Sequence, residues 1–391
     1  MDSPVTHLTA PKSLPREDAN LNFIRGCAAL VVMLGHSSAL YFSKATATQA
    51  QTQKWVLLKA EHQHHMMNTL GLEAVVIFFV LSGFLVGGSA MKGLLRGSWS
   101  WKGYLIRRLT RLCVVLWPTL LLVALLDHLG LRLFGLGSIY GGPDGQYVIS
   151  AGLTSLLSAR IFLGNMLFSQ TILVPTYGTD IPLWSLANEF WYYIIFPLLI
   201  GALLPVKRVA VRLLWLGAAI VLMWFSRNTL PLFPIWIAGA LTSQLKPVLS
   251  EKTGRTFAWI SGILLPVSMI TLRRTDLPLF WIFATIAIIA CCFIYSSRHL
   301  RVPSRTTLYA GFSELISKMS YTLYLVHLPI AVFLCACLDR PWHIWNRSAM
   351  HLSIWMASNI AVLGTAYLLY RLFEAHTDDV RRHIVRLIRL S

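Results

Sequence analysis

The sequence predicts an all-α, polytopic transmembrane helical bundle of about ten spans, and three observations predict it. Of its 391 residues, 56% are hydrophobic and 13% charged, with a mean hydropathy of +0.62, whereas soluble domains carry about a quarter charged residues. The apolar residues gather in blocks of 16 to 24, the length at which a helix crosses a hydrocarbon core of about 30 Å. The net charge of +18 comes from Lys and Arg in the short connections between blocks, which is a topology signal rather than a nucleic-acid surface.

Residues 1–20 are polar, without the apolar core of a cleavable signal peptide, so they form a cytoplasmic segment and the first span directs insertion. Spans are predicted at 21–42, 72–91, 112–129, 183–204, 209–225, 229–245, 257–272, 277–295, 319–338 and 350–373. Ten spans place both termini on one side. Assigning that side to the cytoplasm puts most of the 34 Lys and Arg inside, with the densest group between Lys92 and Arg111. The 43–71 loop and the long 130–182 segment are then external. Within the latter, residues 153–174 are apolar enough to span but contain Arg160, Asn165 and Gln170. A crossing there would expose every later basic loop, so the stretch is read as an interfacial or re-entrant helix. Residues 21–373 make one membrane domain, and 374–391 a basic cytoplasmic tail.

Arg25 and His36 lie inside the first span, and ionisable residues there face a bundle interior or a wet cavity by default. Eleven positions separate them by about 16 Å along a helix. Arg25 can snorkel to headgroups, whereas His36 is deeper. The six cysteines sit in or beside apolar blocks without metal-type spacing and read as packing residues. His62, His64 and His65, with Glu61, resemble a metal cluster only superficially: His62 and His65 alone share a helical face, so no metal is expected.

Several strings together resemble the acyltransferase 3 family of membrane-embedded enzymes that acylate extracytoplasmic glycans and related acceptors. They are NFIRGCAALVVMLGH with Arg25 and His36; VVIFFVLSGFLV with Phe78, Phe79, Ser82, Gly83 and Phe84; RRLTRL with Arg108 and Arg111, followed by Pro118; PLWSLANEFWYYIIFPLL with Trp184, Ser185, Glu189, Tyr192 or Tyr193 and Pro197; and ISKMSYTLYLVHLPI with Ser320, Tyr321, Tyr324, His327 and Pro329. The strings run in order from residue 22 to 374. One departure is His376 where the family often has proline after Glu374, and the chain lacks the extracytoplasmic esterase-like domain of some members.

The resemblance implies transfer of an acyl group from cytoplasmic acyl-CoA, acetyl-CoA first, to a hydroxyl of an extracytoplasmic or lipid-linked saccharide in a bacterial inner membrane. His36 is then the candidate general base. Glu189 would orient it or bond the acceptor. Arg25, Arg108 and Arg111 are candidates for the donor's phosphates, although the last two also serve topology. Ser82 either packs helices beside Gly83 or lines the acyl channel. Trp184, Ser185 and Tyr192 are candidate acceptor contacts at the external interface, where Trp184 also suits an aromatic belt. Tyr321, Tyr324 and His327 form a stripe expected to bond between helices. The competing class is a secondary transporter or flippase for a sugar-linked or acidic substrate, but no paired halves are evident. The sequence does not define the oligomeric state.

Overall fold

The computed structural model describes residues 18–42, 70–142, 149, 152–204, 208–300 and 308–390, so the 43–69 part of the expected external loop, with its histidine cluster, lies outside the described residues. Those residues are helical, with a single isolated bridge between Gln170 and Val174. The helices are α1 (Asp18–Phe42), α2 (Gly71–Leu95), α3 (Trp101–Phe134), α4 (Ala159–Met166), α5 (Leu183–Leu203), α6 (Val209–Phe225) and α7 (Phe233–Thr242). They continue with α8 (Glu251–Thr271), α9 (Leu279–Ser296), α10 (Leu308–Lys318), α11 (Ser320–Leu338), α12 (Ala349–Leu372) and α13 (Thr377–Leu390).

Among the described residues, eight helices are long and apolar enough to cross a membrane, and α6 with α7 form a further pair bent by 98°. The structure differs here from the two full spans expected at 209–225 and 229–245. Helix α7 has ten residues, a length of about 15 Å that falls short of a bilayer core. Its contacts show why. Near the start of α6, Arg212 Nε donates to the Ala202 carbonyl at the end of α5 (2.9 Å), and Trp215 packs on Trp101 at the start of α3. The far end of α6 brings Phe225 to Trp191, and Asn228 Nδ2 donates to the Thr171 carbonyl (2.8 Å). The chain then returns through α7, after which Gln244 Nε2 donates to the Gly88 carbonyl, Arg298 to that of Leu245 and Tyr295 to that of Lys246. The pair therefore goes out and comes back, and its short arm starts part-way down α5.

The 153–174 stretch explains that depth. It is a short 3-10 turn, the eight-residue α4 and irregular chain, and it dips along α5 until Trp191 Nε1 donates to the Phe168 carbonyl (3.0 Å) and Phe168 stacks on Phe190. Asn165 and Gln170, two polar residues of this stretch, are buried pins: Asn165 Nδ2 donates to the Ile161 and Pro175 carbonyls, and Gln170 Nε2 to that of Leu183. Thr179 closes the segment onto α3, donating from its N–H and hydroxyl to the two oxygens of Asp127 (2.8 and 2.9 Å).

One face of the bundle is basic. It collects the ends of α2, α5, α7 and α9 with Lys92, Arg208, Lys246 and Arg298, and also the first residues of α1, since Ser313 donates to the Ala19 carbonyl and Ser317 to Asn22. Glu374, beyond α12, lies there too. Its carboxylate accepts from the Thr322 N–H (3.1 Å) and hydroxyl (2.6 Å) and so caps the first turn of α11. At the opposite face Trp342 Nε1 donates to the Leu40 carbonyl and the Trp345 N–H to that of Tyr41. Helix α3 is longer than expected: 34 residues extend about 50 Å, so its basic first turns project past the hydrocarbon layer.

Candidate functional site

A cavity of about 250 Å³ opens at the basic face and runs inward between α1, α2, α3, α5 and α11. Its mouth holds Arg25 from α1 and Arg108 and Arg111 from α3. The i, i+3 spacing of the two α3 arginines sets them on one helical face. Arg111 is solvent-exposed and Arg25 partly buried, so the guanidinium groups grade from water into the bundle. Arg25 interacts electrostatically with Arg111, Glu189 and Glu374, and Arg111 also with Glu374. Arg108 lies over the Tyr104 ring, and its Nε is buried with no partner.

Midway along the cavity Glu189 Oε1 accepts from Ser82 Oγ at 2.5 Å and, in a short bond, from the Tyr193 hydroxyl. Ser82 in turn accepts from Trp236 Nε1 at 3.1 Å. Local sequence explains this cluster. Helix α2 contains a π-helical turn over Gly83–Gly87, directly after Ser82, a distortion often found at functional sites. There α7 presses backbone against backbone: a Cβ on Gly83 would sit 1.8 Å from the Trp236 carbonyl oxygen, and one on Gly239 would sit 2.1 Å from that of Val80. Only glycine permits this approach, and it carries the Trp236 indole to Ser82.

Away from the arginines, the cavity wall holds the Ser185 and Tyr324 hydroxyls, 2.6 Å apart, with the Phe78 ring edge-on to Tyr324. One helical turn further along α11 is His327. Its Nε2 lies 2.9 Å from His36 Nδ1, and the two rings are within 13° of parallel. His327 is buried, whereas His36 keeps part of its surface accessible.

The structure thus brings Arg25, Ser82, Arg108, Arg111, Ser185 and Glu189 into one cavity wall. His36 stands outside that wall, behind the Tyr324 layer. The expected Glu189–His36 pairing does not form: the carboxylate is bonded to Ser82 and Tyr193, and the partner of His36 is His327. Tyr192 is directed away from the cavity, because one residue turns a helix by about 100°. It is fully buried, donates to the Thr229 carbonyl and packs on Phe79 and Phe233, while Tyr193 lines the cavity. Trp184 is likewise outside the wall, against Phe79. Trp236 escaped the sequence reading because nothing in FPIWIAGALT distinguishes it from a membrane-facing aromatic. No group of three or more His, Cys, Asp or Glu suited to a metal occurs among the described residues.

Residues 18–371 match the model of the acyltransferase 3 family, described as an acyltransferase domain. A 297-residue stretch is 27% identical to the acyltransferase MdmB of Streptomyces mycarofaciens, covering 68% of this chain and 69% of that protein. No solved structure matches.

Proposed function

The chain belongs to the acyltransferase 3 family and is a multi-pass membrane acyltransferase, and from the geometry of its cavity we propose that it moves an acyl group, acetyl first, from cytoplasmic acyl-CoA to a hydroxyl of an extracytoplasmic or lipid-linked saccharide. The observation that supports this reading is one cavity that gathers three arginines and the Ser82–Glu189–Tyr193 cluster, with the His36–His327 pair one helical turn beyond its Tyr324 wall. The basic face is cytoplasmic under the positive-inside rule, so the arginines meet the coenzyme where it is made, and planar guanidinium groups suit its phosphates. A volume of about 250 Å³ is small beside ordinary ligand pockets of about 300–1,000 Å³. It suits the slim thioester arm, with the nucleotide held at the mouth.

His36 accepts the acceptor's hydroxyl proton as the oxygen attacks the thioester carbonyl. Collapse of the tetrahedral adduct breaks the C–S bond, and the proton passes from the imidazolium to the departing thiolate, leaving ester and free thiol. Glu189, fixed by two hydroxyl donors, faces the donor arm rather than the base. The bacterial inner membrane is the setting this chemistry fits.

Purified protein in detergent, given radiolabelled acetyl-CoA and a crude glycan extract, tests the reading. Label should enter the glycan, and His36→Ala should abolish transfer while the protein stays folded. Undiminished transfer in that variant would remove His36 from the reaction, and accumulation of a sugar-linked substrate in vesicles without acylation would establish the transporter class instead.

A further inference from the structure

Two histidines from helices at opposite ends of the chain meet by their ring nitrogens, and with both rings neutral the hydrogen bonds around them have one solution. His327 Nδ1 lies 2.8 Å from the Tyr324 carbonyl oxygen and 3.1 Å from that of Leu323. A carbonyl oxygen only accepts, so His327 Nδ1 must carry a hydrogen. In a neutral imidazole the other nitrogen is then bare, which makes His327 Nε2 an acceptor. His36 Nδ1, 2.9 Å away, must therefore be the donor. The lone pair of His36 is consequently left on Nε2, the edge not engaged by α11.

Resting on the reading of His36 as the base, we infer that His327 is a positioning residue for acyl transfer: it holds His36 in the tautomer whose Nε2 is free to take the acceptor's proton. The arrangement repeats the logic by which a carboxylate orients the histidine of a hydrolase triad, with a neutral ring in the carboxylate's place. A neutral partner avoids the desolvation cost of a buried anion. The bond also survives the reaction. When Nε2 takes the proton, Nδ1–H still points at His327 Nε2, and the bond becomes charge-assisted. Helix α11 supplies the rigidity, since the main-chain carbonyls of Leu323 and Tyr324 one turn earlier hold the His327 ring. Glu189 has no part in this, being bonded to Ser82 and Tyr193.

The test uses the full-length protein with acetyl-CoA and the crude glycan extract, comparing His327→Leu, His327→Gln and His36→Ala. Leu keeps the volume and removes the acceptor, so turnover should fall by about 100-fold or more, with the acetyl-CoA KM within about threefold of wild type. Gln places a side-chain carbonyl near the position of Nε2 and should restore turnover to within about tenfold of wild type. Equal activity in the Leu and Gln variants, or an unchanged His327→Leu, would overturn the proposal while leaving His36 as base. Full activity in His36→Ala would overturn the underlying reading instead. Should the Leu variant fail to fold, nitrogen NMR of histidine-labelled wild-type protein decides. A protonated Nδ1 and bare Nε2 on His36 are expected, and the reverse tautomer would refute the assignment.

Discussion

Ser82 Oγ donates to Glu189 Oε1 at 2.5 Å, joining α2 to α5 across 107 residues of sequence. The same oxygen accepts from the Tyr193 hydroxyl, so this carboxylate is where two buried hydroxyl groups are satisfied. Replacing Glu189 by Ala leaves both without it and is expected to cost about 1–3 kcal/mol of stability, read as a lowered Tm in detergent. Glu189→Gln retains an acceptor oxygen and should hold its Tm close to wild type while raising the acetyl-CoA KM.

Arg111 stands exposed at the mouth of the cavity with Arg108 three residues earlier. Substitution of either by Ala is expected to raise the acetyl-CoA KM by about tenfold or more with a smaller change in kcat. Arg108→Lys should rescue only part of that loss, because an ammonium cannot reproduce a bidentate guanidinium–phosphate contact. Measuring KM against ionic strength checks the charge component: wild type should weaken with salt more steeply than the Ala variants.

Gly83 and Gly217 make opposite predictions for the same substitution. A Cβ on Gly83 meets the Trp236 carbonyl at 1.8 Å, whereas one on Gly217, in α6, meets nothing within 4 Å. Gly83→Ala should destabilise by about 1–3 kcal/mol or more and also reduce activity by shifting Trp236 from Ser82. Gly217→Ala should stabilise by up to about 1 kcal/mol through helix propensity. Paired thermal melts in one detergent compare them directly.

Asp180, in the segment before α5, is fully buried and neither carboxylate oxygen has a partner. Burial, with the neighbouring Asp127 adding to it, pushes its carboxyl well above the usual carboxylate range. A raised folded-state value means that the folded protein binds the proton more tightly than the unfolded chain does. Stability is therefore greatest below the unfolded value of about 3.9 and falls as pH rises toward the folded one. Asp180→Asn, which cannot ionise, should be at least as stable as wild type at pH 7 and should flatten the pH dependence of Tm over that interval. A large loss of stability in Asp180→Asn would show that the ionised form is needed.

Much of the site was legible because polar groups inside apolar blocks have few places to go. Arg25, Ser82, Ser185 and Glu189 each interrupt a membrane-length run, and all four turn toward one cavity. What was illegible depended on rotation and pairing. The string WYY offers Tyr192 and Tyr193 equally, and only the packed helix shows that Tyr193 faces inward. His36 and His327 are 291 residues apart, and no local pattern reports which helices become neighbours. Helix α7 looked like a full span because its composition is apolar throughout, yet its depth is set by the 153–174 segment that occupies the outer layer beside α5.

The hydroxyl contact between Ser185 and Tyr324 has a bioenergetic consequence. A water-accessible cleft that admits a charged coenzyme from one side of an energised membrane is a leak unless something seals it. Tyr324 and Ser185 place two uncharged groups, hydrogen-bonded to each other, in the wall of the cavity, where an ionisable pair would offer protons a relay. Under the proposed transfer, an uncharged contact at this point would let the acyl group pass without a proton leak beside it.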